Sequence, residues 1–372
     1  MIPDLGHACF ALVLALNTGV AVSAGGPVRT APSAADPAAY QQVKVAEGIQ
    51  AFLSPEGVTP IVSGNSVVIV GEDGALVVDT GQFPSVTRQH IAAIRRFTSK
   101  PVRYIVNTHW HPDHWLGNAE YLKAFPGVVI LGTANTRQMA DTKARQFITT
   151  GYADSALAYV KGLLAEGKHE DGSPLSPIEL GYYTCALQQF EVYRAELLAV
   201  EPILPQVTFK DGLTLHLGGL DVQVFCPGRG NTGGDAVVYV PSRKTLVTGD
   251  LVVAPFPYGS GSFIGEWIQA LKRLAALDVD TLVPGHGPVM QDRVYLNQVV
   301  DLLSSIQGQV RQAVDQGLTL KATQQAIQVD GYRKAMCGDD PWRLFGFMGN
   351  FLRPAVERAY REAKAGPLQD EN

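Results

Sequence analysis

Thr108-His109-Trp110-His111-Pro112-Asp113-His114 puts three of the chain's eight histidines within six positions, beside an aspartate. A continuous helix turns about 100° per residue and would not bring all four ligand-type side chains to one face. Pro112 opposes such a helix as well, because it lacks a backbone donor and clashes with the turn before it. The stretch instead follows the apolar run Val102-Arg103-Tyr104-Ile105-Val106, which ends at Asn107 and reads as a buried strand. A loop leaving the C-terminal end of a strand can converge these side chains on one point, and open α/β sheets place their ligands at that end. Imidazole with carboxylate suits zinc or another first-row divalent ion. His109, His111, Asp113 and His114 are therefore candidate metal ligands.

On the N-terminal side, Ser66 to Val70 and Ala75 to Asp79 are β-branched runs around a Glu72-Asp73-Gly74 turn, which predicts a hairpin. Ser85 to Phe97 has helical spacing. On the C-terminal side a second series of strands is expected from near Gln206, with Leu213–Leu217, Val222–Phe225, Ala236–Val240, Thr245–Val247 and Thr281–Val283 as members. Phe263 to Leu277 reads as an amphipathic helix. Strands in two series with helices between them favour α/β layers over all-α or all-β folds. Two strand ends repeat one pattern of apolar run, glycine and ligand-type side chain: Thr248-Gly249-Asp250 and Pro284-Gly285-His286-Gly287. A lone aspartate in such a turn is usually a cap. Recurrence alongside the histidine cluster makes Asp250 and His286 ligand candidates too.

Residues 136–200 read as a helical insertion broken at Gly167 to Ser176, and residues 293–372 as a helical C-terminal extension with a break near Gly338 to Pro341. With 372 residues, 46% hydrophobic and 17% charged, the chain can bury a substantial core. A net charge of −5 with no dense Lys/Arg run argues against a nucleic-acid partner. Ala8 to Val22 is apolar apart from Asn17, Thr18 and Gly19, and Val22-Ser23-Ala24 suits signal cleavage. Residues 1–24 are thus expected to be an export signal and 25–40 a linker, giving a periplasmic or secreted protein. The run is too short and interrupted for a stable membrane span. Cys185, Cys226 and Cys337 form no CxxC pair and read as buried free thiols.

From about Val43 to Val289 the sequence resembles the metallo-β-lactamase superfamily, on Asp79-Thr80-Gly81, the histidine cluster, Thr248-Gly249-Asp250 and Pro284-Gly285-His286-Gly287. The resemblance implies an αβ/βα sandwich of two mixed sheets over residues 41–292, with a metal site along one edge. It also implies hydrolysis of a small-molecule substrate by a metal-activated hydroxide. One departure stands out. In Gly228-Arg229-Gly230-Asn231-Thr232-Gly233-Gly234-Asp235, Asn231 occupies the place of an expected histidine, and an amide oxygen is a weaker zinc ligand than imidazole. The resemblance assigns His109, His111 and Asn231 to one site and Asp113, His114 and His286 to the other, with Asp250 between them and Asp79 orienting ligands from behind. One tight zinc and one weak or absent zinc are expected, with Asp113 and Asp250 as the catalytic carboxylates. The bond attacked is expected to be an ester, lactone, thioester or β-lactam. Asp250 stands where the lactamases proper place Cys or Ser, which disfavours a β-lactamase proper. Two competing readings are a non-catalytic, degenerate metal-binding module, motivated by Asn231, and an iron-dependent redox member. The di-iron oxidoreductases carry Glu where this chain has His111, which opposes the second.

Overall fold

The apolar runs form two mixed sheets in the computed structural model, which describes residues 39–55 and 61–369. The expected signal and nearly all of the expected linker lie outside the described residues. The first sheet joins β1 (Gln41–Ala46), β2 (Ile49–Leu53), β3 (Ser66–Val70), β4 (Ala75–Val78), β5 (Val102–Val106), β6 (Val129–Thr133) and β7 (Val207–Phe209) in sequence order. The second runs β12-β11-β10-β9-β8, from β8 (Gly212–His216), β9 (Asp221–Phe225), β10 (Val237–Val240), β11 (Thr245–Val247) and β12 (Thr281–Val283). The hairpin β3–β4 forms as its sequence indicates. Strand β7, expected to open the second series, pairs parallel with β6 and closes the first sheet instead. Strands β1, β2 and β6 were not anticipated.

Strand alternation sets the layers. In β10, Val238 and Val240 face the space between the sheets while Val237 and Tyr239 face outward onto helices; β4 divides Leu76 and Val78 from Ala75 and Val77 in the same way. Strands buried on both faces carry near-continuous apolar runs. The helix Pro84–Phe97 covers the first sheet through Ile91 and Ile94. The helix Ile264–Ala275 covers the second through Ile264, Trp267, Ile268, Leu271 and Leu274, one stripe at helical spacing. Burial of each such side chain contributes about 1.5–3 kcal/mol. The architecture is the αβ/βα sandwich. The C-terminal helices Val294–Asp315 and Arg353–Ala365 join the outer core of the second sheet through Leu303, Ile306, Ala355 and Val356. The insertion helices Thr150–Glu166 and Pro177–Leu198 pack over Phe83, Trp110 and Trp115, against the edge that carries the histidines.

Parallel pairing fixes where that edge lies. Val78 of β4 is in register with Val106 of β5, and Val247 of β11 with Val283 of β12. Asp79 therefore emerges beside Asn107, while Asp250 and His286 each stand three residues beyond a paired valine. Both halves point their parallel strand ends to the same side.

His90 lies apart from that edge. Its ring is buried, stacked on Phe52 at 4.6 Å and edge-on to Tyr40 at 4.6 Å, and neither ring nitrogen has a hydrogen-bond partner. Burial pushes its pKa down to about 3, against 6.5 in an exposed histidine. The neutral ring's contribution is complete above pH 6.5 and is lost as pH falls toward 3, at about 1.4 kcal/mol per pH unit. His90→Phe, which keeps the stack, is expected to flatten the fall in Tm between pH 6 and 4.5 in melting curves. Equal acid slopes in the parent and the variant would refute this assignment.

Candidate metal centre

Each ligand-type side chain leaves a parallel strand end. After β5 the chain bends at His109 and Trp110, His111 is extended (φ −63°, ψ 134°), and Pro112 then starts a single helical turn, Pro112–Trp115, with its fixed φ suited to that first position. This switch from extended to helical backbone brings His109 and His111 together with Asp113 and His114, as the sequence indicated. The His109 ring lies 4.5 Å from His111 and 4.2 Å from His114, centroid to centroid. His286 Nε2 is 3.0 Å from Asp113 Oδ2 and 3.3 Å from His114 Nε2.

Asp250 joins two groups. Its Oδ2 lies 3.6 Å from His109 Nε2 and 3.9 Å from His111 Nδ1, and its Oδ1 lies 3.2 Å from His114 Nε2 and 3.6 Å from His286 Nε2. The clusters His109/His111/Asp250 and Asp113/His114/His286 each hold their ligand atoms within 4.8 Å of one another. Glycine makes the approach possible: a Cβ on Gly285 would overlap the Asp250 carboxylate, and one on Gly64 would overlap the His114 ring.

Behind the ligands, Asp79 acts as a clamp. Its Oδ1 accepts from Thr108 N (2.8 Å), and its Oδ2 accepts from Thr108 Oγ1 (2.7 Å) and pairs with His114 Nδ1 (2.8 Å). This leaves His114 Nε2 facing the cluster, the orientation that carboxylate–histidine pairs impose on metal ligands. Asp79 takes a left-handed φ of 55°, a strain of about 1–3 kcal/mol that the surrounding contacts must hold. Asn65, absent from the sequence-based candidates, ties the two halves: its Nδ2 donates to the carbonyls of Pro284 (3.0 Å) and Gly287 (2.9 Å).

The electrostatics fit a cation. Burial lifts the Asp113 and Asp250 carboxyls, but His114 and His286 outweigh it and hold both well below the usual carboxylate range. Burial works to lower His114 and His286, yet the neighbouring carboxylates keep both above an ordinary histidine. His111 is pushed down to about 4 by burial and by His109 beside it. His109 Nε2, His111 Nδ1, Asp250 Oδ1 and Asn231 Oδ1 are all buried without a hydrogen-bond partner. Buried polar atoms are rarely left so, and a metal ion is one standard reason. Converging nitrogen and carboxylate donors with orphaned lone pairs fit a divalent ion.

Asn231 reaches the same region on its own loop. Its Nδ2 donates to the Tyr258 carbonyl at 3.0 Å, which leaves Oδ1 as the uncommitted atom. Asp235 braces that loop by accepting from Gly230 N (2.9 Å), Thr232 N (2.9 Å) and Thr232 Oγ1 (2.8 Å); burial raises its pKa to about 6. Of the other histidines, His169 pairs with Glu179 (3.2 Å) inside the insertion and His216 with Asp221 (2.7 Å) on an exposed hairpin. Neither enters the site. Among the described residues Cys185, Cys226 and Cys337 are free thiols; Cys185 and Cys337 are buried as expected, whereas Cys226 is only half-buried. Trp115 packs, donating to the Trp110 carbonyl at 2.8 Å, whereas Trp110 walls a pocket beside His111 with Tyr258, Ser260 and Gly261.

Residues 59–286 match the metallo-beta-lactamase superfamily. A linear primary-alkylsulfatase from Pseudomonas sp. (strain ATCC 19151) is 26% identical over 271 residues, 68% of this chain and 47% of that one. The chain thus spans about half the length of this relative. A stereoselective inverting sec-alkylsulfatase from Pseudomonas sp. shares the fold with a TM-score of 0.60 at 17% identity, over 90% of this chain and 51% of that one. A metallo-beta-lactamase from Pontibacter korlensis does so with a TM-score of 0.51 at 22% identity, over 72% of this chain and 99% of that one. The chain belongs to the metallo-β-lactamase superfamily, and the relatives it resembles are hydrolytic enzymes.

Proposed function

We propose that the protein is an exported, zinc-dependent hydrolase that cleaves an ester-type bond in a small molecule. The observation that carries this reading is Asp250, whose two oxygens face two ligand clusters at once. A site built only to hold structure needs one closed ligand set, not two sharing a carboxylate. His109, His111 and Asp250 would hold one ion, with the Asn231 amide oxygen beside them, and Asp113, His114 and His286 the other. A bound divalent ion supplies Lewis acidity toward the scissile group's oxygen and acidifies water. Asp79 keeps His114 in register through this chemistry. Asp113 and Asp250 are the carboxylates placed to take a proton from water and return it to the leaving oxygen. Trp110 and the loop Gly259 to Ser262 shape the pocket and limit water.

The two clusters differ in strength. Asp113/His114/His286 is complete in itself, while the other has a neutral amide where imidazole would bind more tightly. Elemental mass spectrometry is expected to find about one tightly held zinc in the parent and two in Asn231→His, as the difference in ligand strength requires. Two tight ions in the parent would refute the inequality. The reaction class is tested on fluorogenic carboxylic ester, lactone, thioester and β-lactam substrates. Turnover of at least one, lost in Asp250→Ala, is the expected outcome. Metal bound with no turnover of any would leave a binding module. An alkyl sulfate joins this set as a second reading, since the alkylsulfatase relative matches two thirds of the chain.

Export rests on the apolar run Ala8 to Val22 and the small residues Val22-Ser23-Ala24. Mass spectrometry of protein recovered from the periplasmic fraction is expected to show Gly25 at the N-terminus. An intact Met1 on protein confined to the cytoplasm would overturn export.

A further inference from the structure

The pocket beside His111 has a polarity that the metal chemistry does not require. Its walls hold two cationic side chains, Lys143 and Arg358, and no carboxylate, with Trp110, Met139, Tyr258 and Phe263 as the apolar part. A pocket of one sign with low-dielectric walls concentrates ligands of the opposite sign.

The two cations come from outside the sheets. Lys143 sits on the π-helical segment Ala140–Ala144 of the insertion, and such segments are uncommon and often lie at functional sites. Arg358 sits on the C-terminal helix Arg353–Ala365. A second π-helical segment, Phe347–Leu352, holds the loop that brings Ser260 and Gly261 to the pocket, through the Asn350 carbonyl, which accepts from Gly259 N at 2.9 Å. Arg358 is committed: its Nε donates to the Ser262 carbonyl at 2.6 Å, its guanidinium lies 5.2 Å from the Phe263 ring, and Glu362 shares its charge. Lys143 is not so held. It is half-buried, and its neighbours Asp141 and Arg145 pair with each other at 2.6 Å. No described carboxylate forms an ion pair with Lys143.

We infer that Lys143 is a specificity-determining residue that receives an anionic group on the substrate, the apolar body of which lies against Trp110 and Tyr258. The substrate class is then an ester-type derivative of a small organic anion, charged at a position remote from the bond that is cleaved. Arg358 adds to the positive field from behind Phe263. This inference rests on the hydrolase reading, and the test separates the two.

Two substrates differing in remote charge are compared, 4-nitrophenyl acetate and mono-4-nitrophenyl glutarate. Lys143→Gln is expected to raise KM for the glutarate ester about tenfold, as loss of one charge-assisted contact implies. Its kcat, and both constants for the acetate, should be unchanged, and Lys143→Arg should restore most of the KM. Equal effects on the two esters, or none on either, would overturn the assignment. A second readout needs no turnover. Quenching of tryptophan fluorescence by 4-phenylbutyrate should saturate about tenfold more weakly in Lys143→Gln than in the parent, while neutral 4-phenylbutyramide should not distinguish them. If the parent cleaves no ester of either kind, the carboxylic-ester reading fails and the titration still decides the anion site. Equal 4-phenylbutyrate affinity in the parent and Lys143→Gln would refute it.

Discussion

Three buried carboxylates, three buried imidazoles and the half-buried His286 converge at one edge of the sandwich, and this concentration of charge is the constraint that everything around it serves. Asp79, Asp113, Asp250, His109, His111 and His114 are almost wholly excluded from water. Burying unpaired charge is among the most expensive acts in folding, and pairing recovers the cost only with good geometry. The protein meets this demand in two ways. Behind the site, Asp79 spends both oxygens on Thr108 and His114. In front, Asp113 and Asp250 lie against imidazoles whose affinity for protons they raise. A divalent ion held by these side chains would take over the role those protons play, and metal affinity at such sites is coupled to pH and to folding.

The sheets exist, in this sense, to deliver strand ends. A parallel pair sets two C-terminal ends side by side, and each half of the molecule contributes one such pair. Asn65 then fastens the first half to the loop carrying His286 with two hydrogen bonds from one amide. The frame leaves one flank of the cluster open, and the pocket there takes residues from the insertion and the C-terminal extension. Segments that look peripheral along the chain therefore line the pocket.

What the sequence disclosed follows from how far apart the interacting parts lie. His109 to His114 could be read directly, because one strand end and one proline decide their placement. Asp250 and His286 were legible as repeats of a local context. Sheet membership was not: Val207–Phe209 has no feature that distinguishes pairing with β6 from pairing with β8, since the choice is made by crossover geometry. Strand β6 is short and follows Pro126-Gly127, so it gave no period to count. The free Oδ1 of Asn231 depends on a carbonyl 27 residues away, at Tyr258. The histidines outside the site were separable only by their neighbours, such as the two aromatic rings that enclose His90. Lys143 gave no signal at all, because a lysine on a polar helix turn is ordinarily solvated.

Replacing imidazole by an amide at position 231 changes ligand strength without changing charge, since both are neutral as ligands. The cluster's own balance is therefore set by Asp113 and Asp250, two negative charges against whatever cations are bound. One divalent ion would leave that balance near neutral, and two would leave it positive. Lys143 and Arg358 add positive charge beside either state, and no pocket-lining carboxylate offsets them. The approach to the site is thus electropositive in either state. The positive field is carried by side chains fixed to the insertion and the extension, so it does not depend on how fully the first cluster is loaded.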